Sequence, residues 1–209
     1  VTALLLVLLL ALLPASAEER DVVDRIVAVV DDTPIAASRV AFESELRERI
    51  QAAPTPAGFG RLLTEAIDPL EAVIFEEILR NQPATRALGT PDEREARARL
   101  DGFEATFEST GAARVFLQRW GLQRADLLER FVDSVRLDTA VDLAISVDVT
   151  DEDLQTYYAR NAERVFAGRP FEEVAAVVSR QVYALEFEEE YNAWRSRLRS
   201  RARKRYIGR

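Results

Sequence analysis

The sequence predicts a mainly α fold: a multi-helix module with one small antiparallel β element that pairs an N-terminal strand region with a C-terminal strand. Three observations lead there. Apolar residues recur at helical spacing through most of the 209 residues. Helix starts are marked repeatedly by Asp, Ser or Thr caps, two of them joined to proline. Strand character is confined to two short segments at opposite ends, and a lone strand would leave its backbone groups unpaired.

Arg25-Ile-Val-Ala-Val-Val30 is β-branched and reads as a strand. Asp31-Asp-Thr-Pro34 is a turn, and Ile35 resumes extended chain. Ser38 is the expected cap of a helix to about Gln51, with Val40, Phe42, Leu46 and Ile50 as apolar points. Residues 52–59 hold Pro54, Pro56 and Gly58 and read as a loop. Asp68-Pro69 starts a helix whose broad apolar face includes Leu70, Val73, Ile74 and Ile78. Thr90-Pro-Asp-Glu93 starts another, running to about Phe107. Ser109-Thr-Gly111 interrupts, and a shorter helix carries Val115, Phe116, Leu117 and Trp120 up to Gly121.

A long helix over 125–145 shows Leu128, Phe131, Val132 and Val135 in one stripe. Thr150 caps the next, with Asp151, Glu152 and Asp153 at its positive end. After the break at Gly168-Arg-Pro170, a helix from Phe171 to about Ser200 bears two stripes. One is Phe171, Val174, Val178, Val182 and Leu185; the other is Tyr183, Phe187, Tyr191, Trp194 and Leu198. Two stripes imply packing on more than one side. Arg203 to Ile207 reads as the closing strand.

Composition excludes much. The chain has no His and no Cys, so Ser-His-Asp and Cys-His catalytic sets, His/Cys zinc sites, disulfides and thiol chemistry are all ruled out. Acidic residues outnumber basic ones 36 to 28, against a general nucleic-acid binder. Charge is uneven, however: the segment 191–209 carries seven Arg and Lys204, the single lysine, with no acid. That end is suited to weak contact with anionic surfaces or acidic partners, or simply to the negative end of its helix. Glu186, Glu188, Glu189 and Glu190 are candidate oxygen ligands for Ca²⁺ or Mg²⁺, but neighbours on a helix diverge, which favours a solvated face. No cofactor is expected.

Ala3 to Leu13 is an uninterrupted apolar run ended by Pro14, the length of a signal-peptide core and short of the roughly 20 residues that cross a bilayer. Small residues at Ala15 and Ala17 precede Glu18, so cleavage is expected between Ala17 and Glu18 and no transmembrane segment remains afterwards. The alternative is an uncleaved amphipathic or buried N-terminal helix. Residues 1–17 are thus read as a signal peptide and 18–209 as one module.

The segment Val22-Val-Asp-Arg-Ile-Val-Ala-Val-Val-Asp-Asp-Thr-Pro-Ile35 and its step into a helix resemble the N-terminal part of SurA-like periplasmic chaperones. The later order is similar: the helix near Leu70 to Asn81, Leu88-Gly-Thr-Pro-Asp92, Gly121 to Leu127, then Val149-Thr-Asp-Glu-Asp-Leu-Gln-Thr-Tyr-Tyr158. Phe171 to Ile207 resembles the segment that returns to close the module. The division implied is 18–160, a linker 161–170, and a returning part 171–209. Members of that family commonly insert a parvulin-type prolyl isomerase domain at the linker. Only nine residues, 161–169, lie there, against the roughly 50 a domain needs.

The resemblance therefore implies a periplasmic, ATP-independent holdase without isomerase activity, whose partners are unfolded exported polypeptides, outer-membrane proteins among them. Phe103, Phe107, Phe116 and Trp120 are the candidate client-binding residues, although a large apolar side chain is ordinarily core. The alternative is a non-catalytic periplasmic scaffold that binds one folded partner. A paired-carboxylate hydrolase finds no Asp or Glu in a recognisable catalytic context.

Overall fold

A computed structural model describes residues 24–208. The expected cleavage site at Ala15, Ala17 and Glu18 lies outside the described residues.

Strands β1 (Ile26–Val30) and β2 (Thr33–Ala36) form a hairpin, and β3 (Lys204–Tyr206) pairs with the other side of β1. All pairings are antiparallel, in the order β2-β1-β3, so the two ends of the described chain meet as the sequence predicts. Asp31 takes the left-handed conformation (φ 46°) that the tight turn requires, one that Asp tolerates better than most residues. Ala28, Val30 and Ile35 point inward onto Val73, Ile74 and Ile78.

The helices among the described residues are α1 (Ala37–Gln51), α2 (Arg61–Thr64), α3 (Pro69–Asn81), α4 (Pro83–Arg86), α5 (Glu93–Glu104), α6 (Thr110–Arg119), α7 (Arg124–Ala144), α8 (Asp151–Asn161) and α9 (Phe171–Arg201). Several caps are the expected ones. Asp68 accepts from the Glu71 N–H at 3.1 Å, and Thr150 with Asp153 forms a capping box. Others differ. The cap before α1 is Ala36; Ser38 instead donates to Asp24, tying the chain entering β1 to α1. Asp92 rather than Thr90 caps α5, which ends at Glu104. Part of the expected loop is a 3₁₀ turn, Pro56–Phe59, because Phe59 is drawn into the core beside Phe131.

The body is also held by charge. Arg47 of α1 donates to Glu76 of α3 at 2.6 Å and to the Leu62 carbonyl at 2.5 Å. Arg130 of α7 reaches Glu76 at 2.9 Å and Glu43 of α1 at 2.5 Å. Arg80 joins Glu76, Glu77 and Asp133, and Arg39 joins Glu77. Burial alone would push the Glu76 carboxyl up; Arg130, Arg80, Arg47 and Arg39 overcome it and hold the group at about 2. A second buried pair sits nearby. Arg99 of α5 donates to Asp138 and Ser134 of α7, and Asp138 accepts the Leu62 N–H at 3.1 Å. This pair excludes a side chain at Gly60, whose φ is 82° and whose added Cβ would lie 2.0 Å from Asp138 Oδ2.

The two stripes of α9 serve two different cores. Val174, Val178 and Val182 pack with Phe166 against Leu154, Tyr157 and Tyr158, so that α8 and the first half of α9 form a hairpin arm with its own apolar core. Phe187 and Tyr191 then pack on Phe75, Leu137 and Val141 of the body. The arm turns through residues 162–170, and the expected linker was 161–170. There Asn161 bonds the Tyr157 carbonyl and Arg164, and Tyr158 Oη donates to the Arg169 carbonyl at 2.7 Å. Ala167 and Gly168 both have positive φ.

Glu76→Gln is expected to cost about 3–5 kcal/mol at neutral pH, because it leaves buried arginines uncompensated. A depressed carboxyl pKa supplies stability that is complete above its ordinary value and lost as pH falls through the folded one. Wild type should therefore lose this contribution between pH 4.5 and about 2, and the Gln variant should show a flatter decline in urea melts across that window. Gly60→Ala should be strongly destabilising in the same melts.

Candidate functional site

The residues singled out in the middle of the chain belong to one aromatic stack. Helix α6 begins where Ser109 Oγ accepts the Ala112 N–H at 3.2 Å. It ends in a Schellman turn: Gly121 (φ 67°) donates to the Gln118 carbonyl, and Leu122 to that of Leu117. This geometry brings Leu122 back over Leu117. Between the two ends, Ala113, Phe116 and Leu117 face inward at helical spacing, with Trp120 one turn on.

Phe103 of α5 contacts Phe107, Phe116 and Phe131 at centroid separations of 5.3, 5.6 and 6.0 Å. Phe107 contacts Phe116 at 5.4 Å, and Phe42 of α1 touches Phe116 and Trp120. Most contacts are edge-to-face or tilted, the arrangements the ring quadrupole favours. The Arg49 guanidinium lies 3.9 Å over Phe107. Glu45 ties α6 to α1 by accepting from Arg119 and from the Trp120 indole, the latter at 3.1 Å.

The structure therefore brings all four predicted residues together but places them at different depths. Phe103 and Phe116 are buried core. Phe107 and Trp120 are half-buried at its edge, with Phe42 and Leu122 beside them. Two open recesses flank this edge and share Leu122. One, of about 440 Å³, lies among α5, α6 and the start of α7, with Leu117 and Ala113 on its floor. The other, of about 320 Å³, is lined by Phe42, Trp120, Glu43 and Arg130. The sequence marks Phe42 only as an apolar point of its helix and gives Leu122 no part in the site; the available signals were the i, i+4 step from Phe42 to Leu46 and the glycine before Leu122.

Further apolar side chains stand exposed elsewhere. Val115 lies on the outer face of α6, and Tyr183 and Leu185 lie on α9 where the arm meets the body. Tyr183 and Phe187 line a recess there with Arg61 and Asp142. Glu188 pairs with Arg61 at 2.5 Å, a contact between residues far apart in the chain. Among the described residues no group of three acids is placed to hold a metal ion, and no helix is long and apolar enough to cross a membrane.

Comparison with models of protein families, with curated proteins and with solved structures returns no match.

Core and edge should separate experimentally. Phe116→Ala is expected to cost about 3–5 kcal/mol in urea unfolding, as for a fully buried ring. Trp120→Ala should cost less than about 2 kcal/mol, since part of its surface already meets water. Equal costs would mean that Trp120 is as deeply built into the core as Phe116.

Proposed function

We propose that the protein is an ATP-independent periplasmic holdase that binds unfolded exported polypeptides, outer-membrane proteins among them. The observation that carries this reading is the half-covered edge of the aromatic stack, where Phe42 and Trp120 line one recess and Leu122 joins it to a second. An unfolded secreted chain exposes aromatic and aliphatic side chains that otherwise find one another. An edge of this kind competes for them without requiring a particular sequence. Covering the exposed part of one such side chain is worth only about 1–2 kcal/mol. Several weak contacts hold a client, and each breaks readily, so release needs no nucleotide.

The reading rests also on the resemblance to SurA-like chaperones and on the apolar leader that precedes the described residues. It carries no prolyl isomerase activity. The site where the resemblance would seat that domain is a closed turn at the tip of the arm, stitched by Asn161 and Tyr158. The exposed Tyr183 and Leu185 extend the apolar surface toward the arm's base.

Dilution of a denatured outer-membrane protein into buffer tests the proposal by light scattering. Near-stoichiometric protein should suppress scattering, and the double variant Trp120→Ala, Leu122→Ser should lose most of that effect while keeping its circular dichroism. Unchanged scattering with wild type would sink the reading. Unchanged scattering together with co-purification of one folded partner would favour a scaffold instead. A proline-limited refolding reaction should proceed at its uncatalysed rate.

A further inference from the structure

The arginines of the C-terminal segment fall into two sets by direction. No acid follows Glu190 in the sequence. Arg195 and Arg199, one turn apart, lie on the face of α9 turned to the body and pair with Glu65 and Glu71. Arg203 reaches Asp31 and Asp32 at the hairpin turn. Arg197 and Arg201 are each two positions further on, which places them on the opposite face of the helix, and both are exposed. Arg205 sits opposite Val29 in the sheet. Since Ala28 and Val30 point inward onto α3, Arg205 points outward, and it too is exposed. Among the described residues none of these three has an ion-pair partner.

The same outer surface carries apolar groups. Ile207, 39% exposed, donates its N–H to the Val27 carbonyl at 2.9 Å, and Val29 is only half-buried. The start of β1 and the end of β3 thus lie side by side.

We infer that this end of the molecule is a docking surface for an anionic lipid bilayer, with Arg197, Arg201 and Arg205 meeting headgroup phosphates and Ile207 lying among them. Two features favour a bilayer over an acidic polypeptide: unpaired guanidiniums that match phosphate, and an exposed aliphatic side chain, Ile207, two residues on from Arg205. The acidic remainder of the chain is repelled by the same surface, so contact is confined to this end.

Co-sedimentation with vesicles tests this, using residues 18–209, which contain every described element. Vesicles of phosphatidylglycerol and phosphatidylcholine should retain the protein, vesicles of phosphatidylcholine alone should not, and retention should fall as salt rises. At about fivefold per arginine, the triple variant Arg197→Ala, Arg201→Ala, Arg205→Ala should bind about a hundredfold more weakly. The control Arg114→Ala, Arg160→Ala, Arg180→Ala changes net charge equally at exposed sites elsewhere and should bind as wild type does. Retention independent of anionic lipid, or equal loss in both variants, would overturn the inference. So would capture by polyglutamate without retention by vesicles, which would assign the surface to an acidic polypeptide. Aggregation suppression by the triple variant should match wild type, which keeps this outcome separate from the chaperone reading.

Discussion

A carboxylate sealed among three helices constrains the whole body. Glu76 sits on the inner face of α3, and the side chains that neutralise it come from α1, α3 itself and α7. Burying such a group costs several kcal/mol, and only close, correctly aimed guanidiniums offset that cost. The three helices cannot slide past one another by a turn without stranding a charge. Charge also balances locally: Arg39, Arg47, Arg80 and Arg130 face Glu43, Glu76, Glu77 and Asp133. The Arg99–Asp138 pair extends the same rule to α5, and through the Leu62 N–H it fixes the short helix α2 beneath them. Apolar packing supplies most of the driving force, and these pairs select one arrangement among those that packing alone would tolerate.

On that body α9 does two jobs along 31 residues. Its first stripe completes the arm and its second completes the body, and the change of face falls near Leu185, where neither stripe is covered. The last turns deliver Arg195 and Arg199 to Glu65 and Glu71 before the chain enters β3. Tyr191 shares Glu65 with Arg195, and burial with the nearby carboxylate keeps its phenol protonated well above the usual tyrosine range. Closure of the module is thus a joint between helix and body reinforced by three strands, which explains why a strand as short as β3 suffices.

Much of this architecture was legible in the sequence. Asp68-Pro69 and Thr150 with Asp153 act through local geometry, and local geometry is what a cap records. The meeting of β1 and β3 followed from backbone hydrogen bonding, because the C-terminal strand segment has no strand beside it in sequence and needs a distant partner. The charged core was not legible. Periodicity treats Glu43, Arg47 and Glu76 as solvent-facing, yet all three are buried, since their partners lie on other helices and distant pairing leaves no mark on spacing. Ser38 misled for a related reason: its hydroxyl found Asp24 across the sheet instead of the helix end beside it. The aromatic residues were found as a group, but their depth depends on how α1 lies across α6, which no single segment encodes.

That depth sets what the aromatic edge offers a visitor. Phe103 and Phe116 are bound into a continuous stack with Phe131 and Phe59, so reaching them means lifting α6 and exposing several rings at once, at about 2–3 kcal/mol each. Trp120 and Leu122 need no such opening. Their positions are set by a glycine turn and by the Glu45 bridge, which hold them half-covered without sealing them. On the chaperone reading this division matters: a rigid core keeps the edge presented, while the edge itself contributes only shallow contacts. Moving Trp120 deeper would strengthen the fold at the expense of the surface. Exposing Phe116 would enlarge the surface but give the protein the same tendency to aggregate that it restrains in its clients.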